Sequence, residues 1–277
     1  MANDVKFNPP GRENLADVET ARSVAYTSDV IEIEGVIRQG QSGSYGKYNN
    51  KKYDVHLFGF IAWRQPGKAV VERELTLLRA VEPGSDYFSE FSELSIYRFE
   101  VLLSVNQKRA IVWRKSESEA DKSQLSEIAQ EFAKPVITNT NKFGKMTLDR
   151  RINMMEGNIM WNGNSVSLYI EMDGTEGIKT GLKIAETLYE NQASWSKKVN
   201  DYAVENLLPG WNDEWKVDDG PDMTAEQFIS KITLTGISID RSGEFTFDHD
   251  DGDIFAGHYI VVGGTLETGL NNVDTPG

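Results

Sequence analysis

Apolar and polar positions alternate with period two over much of the chain, and this predicts a strand-rich protein. Asp29 to Arg38 alternates around Val30, Glu32, Glu34 and Val36. Tyr53 to Trp63 is aromatic-rich, and Val70 to Leu78 and Leu94 to Ser104 also read as strands. Lys108 to Trp113 is placed to return against Leu94 to Ser104 through a turn at Asn106-Gln107. Residues 1 to 28 lack periodicity, contain Pro9, Pro10 and Gly11, and read as a flexible arm. Gln41 to Lys52 is Gly- and Asn-rich and reads as an exposed loop.

The period changes after Lys115. Leu125, Ile128, Ala129 and Phe132 fall at i, i+3, i+4 and i+7, the spacing of one helical face. Ser118 and Asp121 have the spacing of a helix start, and Lys134-Pro135 ends the helix. This linker helix closes a β-rich N-terminal domain, residues 29–135. A second domain, residues 136–277, opens with strands at Lys145 to Asp149 and Arg151 to Met160, an Asn162-Gly163 turn, and a return strand from Ser165 to Glu171. A helical region runs from about Gly181 to Leu208, broken near Asn191 and stopped by Pro209-Gly210, with Trp195, Val199, Tyr202 and Ala203 as its later apolar stripe. Thr224 and Gln227 have capping-box spacing before a short helix carrying Phe228 and Ile229. Strands at Ile232 to Asp240, Glu244 to Asp250 and Asp253 to Val262 finish the chain, the last two joined by a tight turn at Asp251-Gly252. The expected fold class is α+β: an antiparallel-sheet-rich N-terminal domain, then an α+β C-terminal domain with helices packed on an antiparallel sheet.

Composition narrows the chemistry. There is no Cys among the 277 residues, so disulfides, thiolate metal sites and a cysteine nucleophile are excluded. The N-terminus has no apolar core of a secretory signal, and no run has the length of a membrane-spanning helix. A cytoplasmic location is expected.

The formal net charge is −14, and its distribution is uneven. Residues 1–199 hold 27 acidic and 26 basic side chains, whereas residues 200–277 hold 16 acidic and 3 basic. Such a surface disfavours nucleic acid and anionic membranes and favours a basic protein partner or a divalent cation. An acidic surface that only maintains solubility is the competing explanation.

The densest acidic cluster is Asp248 to Asp253, followed by Phe255, Gly257 and His258. Read as a calcium loop from Asp248, it places Gly252 at position 5 and Tyr259 at position 12, and the pattern fails. The only histidines are His56, His249 and His258, and there is no G-x-S-x-G elbow, phosphate loop or dinucleotide fingerprint. Trp211 and Trp215 lie four apart among Asp213, Glu214, Asp218, Asp219 and Asp222, an aromatic-in-acidic composition suited to a protein-binding hot spot. Core anchoring is the ordinary role for such tryptophans.

Four stretches resemble one known family. They are KFGKMTLDRRINMMEGNIMWNGNSVSLYIE, NLLPGWNDEW, TAEQFISKITLTGISID and DHDDGDIFAGHYIVVGGTLE. In that order, over roughly residues 142–270, the chain resembles the bacterial domain of unknown function 2262 family. The characteristic block is Asp-Asp-Gly-Asp, a Phe two residues later, then Gly-His, here Asp250 to Asp253, Phe255, Gly257 and His258. Ala256 stands where the pattern has a larger aromatic. The resemblance implies no established activity; related small acidic domains occur near bacterial toxin genes as immunity or accessory proteins.

The expectation is therefore a cytoplasmic, non-catalytic binding protein of immunity or accessory type. It would hold a basic partner through Trp211, Asp213, Glu214, Trp215, Asp218, Asp219 and Asp222, with no catalytic residues and no cofactor. The alternative is a metal-dependent enzyme or metal-stabilised module using Asp248, Asp250, Asp253 and His258. The sequence leaves the oligomeric state open.

Overall fold

The computed structural model describes residues 24–40, 54–81, 90–174, 177–216 and 220–276. The expected arm falls largely outside these residues, as do the Gln41 to Lys52 loop and Asp218 and Asp219. The chain is a strand-rich α+β protein in two compact units, residues 1–135 and 136–277.

In the N-terminal unit, β1 (Tyr26–Ile37), β2 (Asp54–Arg64), β3 (Leu75–Val81), β4 (Ile96–Ser104) and β5 (Arg109–Lys115) close into a barrel of order β1-β2-β3-β5-β4. Pairing is antiparallel except between β3 and β5. This is the connectivity of an OB-type barrel. The expected strand from Val70 starts later, since Val70 to Glu74 lies outside β3 and only Val71 bridges to Trp63. Alternation points Ile33, Ile37, Phe58, Phe60, Leu75, Leu77, Phe99 and Val101 into one interior cluster. Phe91 stacks on Phe58 at 5.1 Å.

The helix α1 (Ser123–Ala133) covers one outer side of the barrel. Its Leu125, Ile128, Ala129 and Phe132 pack with Val36, Ile61 and Ala62, the face that the helical spacing predicts. It starts at Ser123, not near Ser118, because Asp121 turns its carboxylate onto the Ser123 N–H (3.0 Å). Glu34, fully buried, fastens this junction. It accepts from Arg64 Nε (2.8 Å), Arg98 Nη2 (2.6 Å) and the Asp121 N–H (3.0 Å). Burial alone would raise its carboxyl, but the hydrogen bonds from Arg98 and Arg64 outweigh that and hold it below the usual range.

The C-terminal unit is one eight-stranded sheet. Its strands are β6 (Ile137–Thr140), β7 (Gly144–Asp149), β8 (Met154–Trp161), β9 (Asn164–Glu171), β10 (Thr233–Ile239), β11 (Phe245–Asp250), β12 (Tyr259–Thr265) and β13 (Gly269–Asp274). They lie in the order β13-β12-β11-β10-β9-β8-β7-β6. Asn162 and Gly163, both at positive φ, make the β8–β9 turn that the dipeptide predicts. The sheet is not wholly antiparallel: β10 runs parallel to β9. Parallel neighbours need a crossover, and α2 (Lys179–Glu190), α3 (Gln192–Gly210) and α4 (Ala225–Lys231) supply it.

The α2–α3 break falls at Asn191, and Thr224 and Gln227 form the capping box of α4. Helix α3 ends at Gly210, where Pro209-Gly210 is expected to stop it. Proline in a last turn removes one rung of the ladder, and the chain continues as a π-helical turn, Trp211–Trp215. The helices bury Ala185, Leu188, Trp195, Val199, Ala203 and Phe228 against Met155, Ile159, Trp161, Leu168, Ile170, Ile237, Phe245, Phe247 and Val262 on one face of the sheet. Trp195 meets Phe245 edge-on at 5.2 Å.

Candidate functional site

Period two sends every second residue of the C-terminal sheet away from that core. The cross-strand register then assembles side chains far apart in sequence. One row across the opposite face runs Asn272, Gly263, Thr246, Ser238, Tyr169, Glu156 and Thr147. The next runs Asp274, Val261, Asp248, Gly236, Ser167 and Asn158. The charged residues on this face are Asp149, Glu156, Glu171, Asp248, Asp250 and Asp274, against one cation, Lys145. Glu171 reaches Arg241 at 3.8 Å. Among the described residues, Glu156, Asp248, Asp250 and Asp274 have no basic side chain within ion-pair distance. The face also exposes Met160 (54%) and Tyr259 (58%).

Asp248 is half-buried in the middle of this face. Thr246 Oγ1 donates to its Oδ1 at 3.0 Å and Ser238 Oγ to its Oδ2 at 3.2 Å. Burial raises its carboxyl above the usual range, and the two hydroxyls only partly offset this.

The second candidate region is the Trp211–Trp215 turn with the segment 250–258. Asp251 is 2% exposed and accepts from the backbone N–H groups of Asp253 (3.0 Å), Phe255 (2.7 Å) and Gly257 (3.3 Å). The Asp250 carboxylate accepts from the Gly252 N–H at 2.9 Å. Gly252, Asp253, Ala256 and Gly257 all take positive φ. A Cβ on Gly252 would lie 2.5 Å from the Lys231 carbonyl oxygen. The Asp251-Gly252 pair is therefore not a two-residue hairpin turn. An eight-residue loop folds around a buried carboxylate that replaces the missing ladder partners.

Trp211 Nε1 donates to the Ile254 carbonyl at 2.8 Å, and Trp215 meets Phe255 edge-on at 5.4 Å and His258 at 6.1 Å. Both indoles thus turn toward the loop, although Trp215 stays 41% exposed. Asp213 and Glu214 point to solvent, and Asp222 pairs with Lys216 at 2.8 Å. Asn212 hydrogen-bonds both backbone groups of Met223.

The block Asp250 to His258 sits within residues 140–274, which match the family described as "Uncharacterized protein conserved in bacteria (DUF2262)". Over these residues the chain matches the DUF2262 family. No curated protein matches the chain. The geometry gives the DUF2262 block a structural meaning: Asp250 and Asp251 cap loop N–H groups, Gly252 passes a carbonyl, and Phe255 fills the space between Trp215 and Phe228. His258 closes it, its Nδ1 lying 3.1 Å from the Thr275 carbonyl.

The four residues of the metal alternative are spread by this arrangement. Asp248 and Asp250 face the open side of the sheet, Asp253 is exposed on the loop, and His258 turns to Thr275. Among the described residues no three His, Asp or Glu side chains gather as a metal-binding group. His249 lies on the core side, 4% exposed, with burial holding its imidazole down at about 4 against backbone acceptors at Phe247 and Ile260. It lines a cavity of about 130 Å³ with Ser196, Asn200, Ile229 and Phe247. That is below the ~300 Å³ at which small-molecule pockets begin. Among the described residues no helix is long and apolar enough to cross a membrane.

Proposed function

We propose that this is a cytoplasmic, non-catalytic binding protein of immunity or accessory type, and that its DUF2262 unit holds a basic protein partner. The observation that carries the reading is the sheet face opposite the helices, with six acids to one lysine on its described strands. Like charges on one face repel one another, and a cationic partner relieves that repulsion. The exposed edge of Trp215, with Asp213 and Glu214 beside it, is a second acidic spot on the same unit. An apolar anchor in an acidic surround suits a protein partner, and steering by such a field accelerates encounter at low salt.

The test is isolation of the native complex, followed by affinity measurement with the purified partner. The proposal expects a basic partner whose affinity falls steeply with ionic strength. Lysine at Glu156, Asp248, Asp250 and Asp274 should weaken it at least 100-fold. An affinity indifferent both to salt and to these changes would overturn the reading.

A further inference from the structure

We propose that Asp248 and Tyr169 form a slot for a single arginine side chain of the basic partner, seated over Gly236. The proposal rests on the binding reading above and names the group that is recognised.

The slot follows from the register. Gly236 lies opposite Asp248 on one side and beside Ser167 on the other, while Ser238, two residues on, lies opposite Thr246 and beside Tyr169. Every other residue of that row carries a side chain, so Gly236 leaves a gap on the open face. The position its missing Cβ would occupy is 3.4 Å from Asp248 Oδ2 and 3.6 Å from Tyr169 Cε2. An atom placed over Gly236 therefore touches a carboxylate and an aromatic ring together.

The carboxylate is prepared for a forked donor. Thr246 and Ser238 each donate one neutral hydrogen bond, one to each oxygen, and fix the rotamer of Asp248. Each oxygen keeps acceptor capacity for one further N–H. Half-buried, and without a basic neighbour among the described residues, the charge is poorly hydrated and uncompensated. A planar guanidinium meets these conditions: two parallel N–H groups reach both oxygens and its face lies against Tyr169. An ammonium has no flat face and makes fewer of these contacts. Around the slot, the Tyr169 hydroxyl donates to Glu156 at 3.5 Å. Asp250 and Asp274 add negative charge, while Val261, Tyr259 and Met160 add apolar surface for the rest of the segment.

The experiment is a backbone-amide NMR titration of the full chain with N-acetyl-arginine-amide, and separately with N-acetyl-lysine-amide. Expected are saturable shifts at Gly236, Ser238 and Asp248, with lysine at least fivefold weaker. Asp248→Asn should weaken arginine binding at least tenfold. Gly236→Ala, which fills the slot and keeps the charge, should do the same and carries the test should Asp248→Asn fail to fold. Val105→Ala, on an exposed turn of the N-terminal unit, should leave it unchanged.

Equal response to both probes, or no loss in either slot variant, overturns the slot. If the slot fails while lysine substitutions on the sheet face still release the native partner, the binding reading survives without it. If the partner ignores the acidic surface, that reading fails by a separate measurement.

Discussion

Replacing Asp251 by alanine should unfold the DUF2262 loop and cost the C-terminal unit much of its stability. The side chain is 2% exposed and accepts three backbone N–H groups, at 2.7, 3.0 and 3.3 Å. A hydrogen bond to a charged acceptor contributes about 1.5–3 kcal/mol net, and such bonds are not additive when one group makes them all. The Phe255 N–H is buried and has no solvent to turn to. Losing the carboxylate also frees Phe255, which is 4% exposed, from Trp215 and Phe228. The combined loss should be about 3–5 kcal/mol, a large share of the ~5–15 kcal/mol that stabilises a domain. Asp251→Asn keeps the shape and one acceptor oxygen, and should lose about half as much. Hydrogen exchange in urea, read on peptides from residues 136–277, isolates this unit from the other and avoids treating two units as one transition. A loss below about 1 kcal/mol for alanine, or none for asparagine, would refute the assignment of Asp251 as the organiser of the loop.

Three further outcomes follow from single features. Glu34→Ala should destabilise the N-terminal unit by about 3–5 kcal/mol, because buried Arg64 and half-buried Arg98 lose their shared carboxylate; urea unfolding that leaves the barrel within about 1 kcal/mol of the parent would contradict this. Gly252→Ala should cost about 2 kcal/mol or more, since its φ is +58° and its Cβ would lie 2.5 Å from the Lys231 carbonyl, and thermal melts would show it. Acid should weaken both units. His56 (under burial and the Arg79 charge) and His249 are each held at about 4 when folded, so the unfolded chain takes up their protons first. Stability should fall as pH drops from 6.5 toward 4, by about 2.5 kcal/mol per histidine at pH 4.5. Glu34 adds to the loss near the acid end, and Asp248, raised by burial, pulls the other way. Melting temperatures flat from pH 4.5 to 7 would rule this out.

Local signals are legible where one residue pair decides the geometry. The Asn162-Gly163 turn, the Thr224–Gln227 capping box and the apolar face of α1 all stand where spacing places them. What the sequence hides depends on long-range register. Strands β6 and β13 are short and polar, and only pairing with a neighbour makes them strands. The parallel β9–β10 pair comes from a crossover of some sixty residues that no local pattern announces. Asp251 is one of four acids within Asp248 to Asp253, and nothing local marks it as the buried one. The acidic face gathers residues from 149 to 274 on five strands, so it becomes visible only once β7 to β13 are in register. The Trp211–Trp215 segment is aromatic and acidic in sequence, but its indoles serve the adjacent loop, a role its composition does not separate from partner binding.

Binding of a basic partner by the acidic face of the C-terminal sheet is the proposal to be tested. The most direct measurement is the dissociation constant of the purified native partner for the parent chain and for the chain with lysine at Glu156, Asp248, Asp250 and Asp274, each at low and high salt. The account predicts at least a 100-fold loss in the variant and a salt dependence that largely disappears with the acids. Equal affinity of the two chains, with unchanged salt dependence, would contradict it.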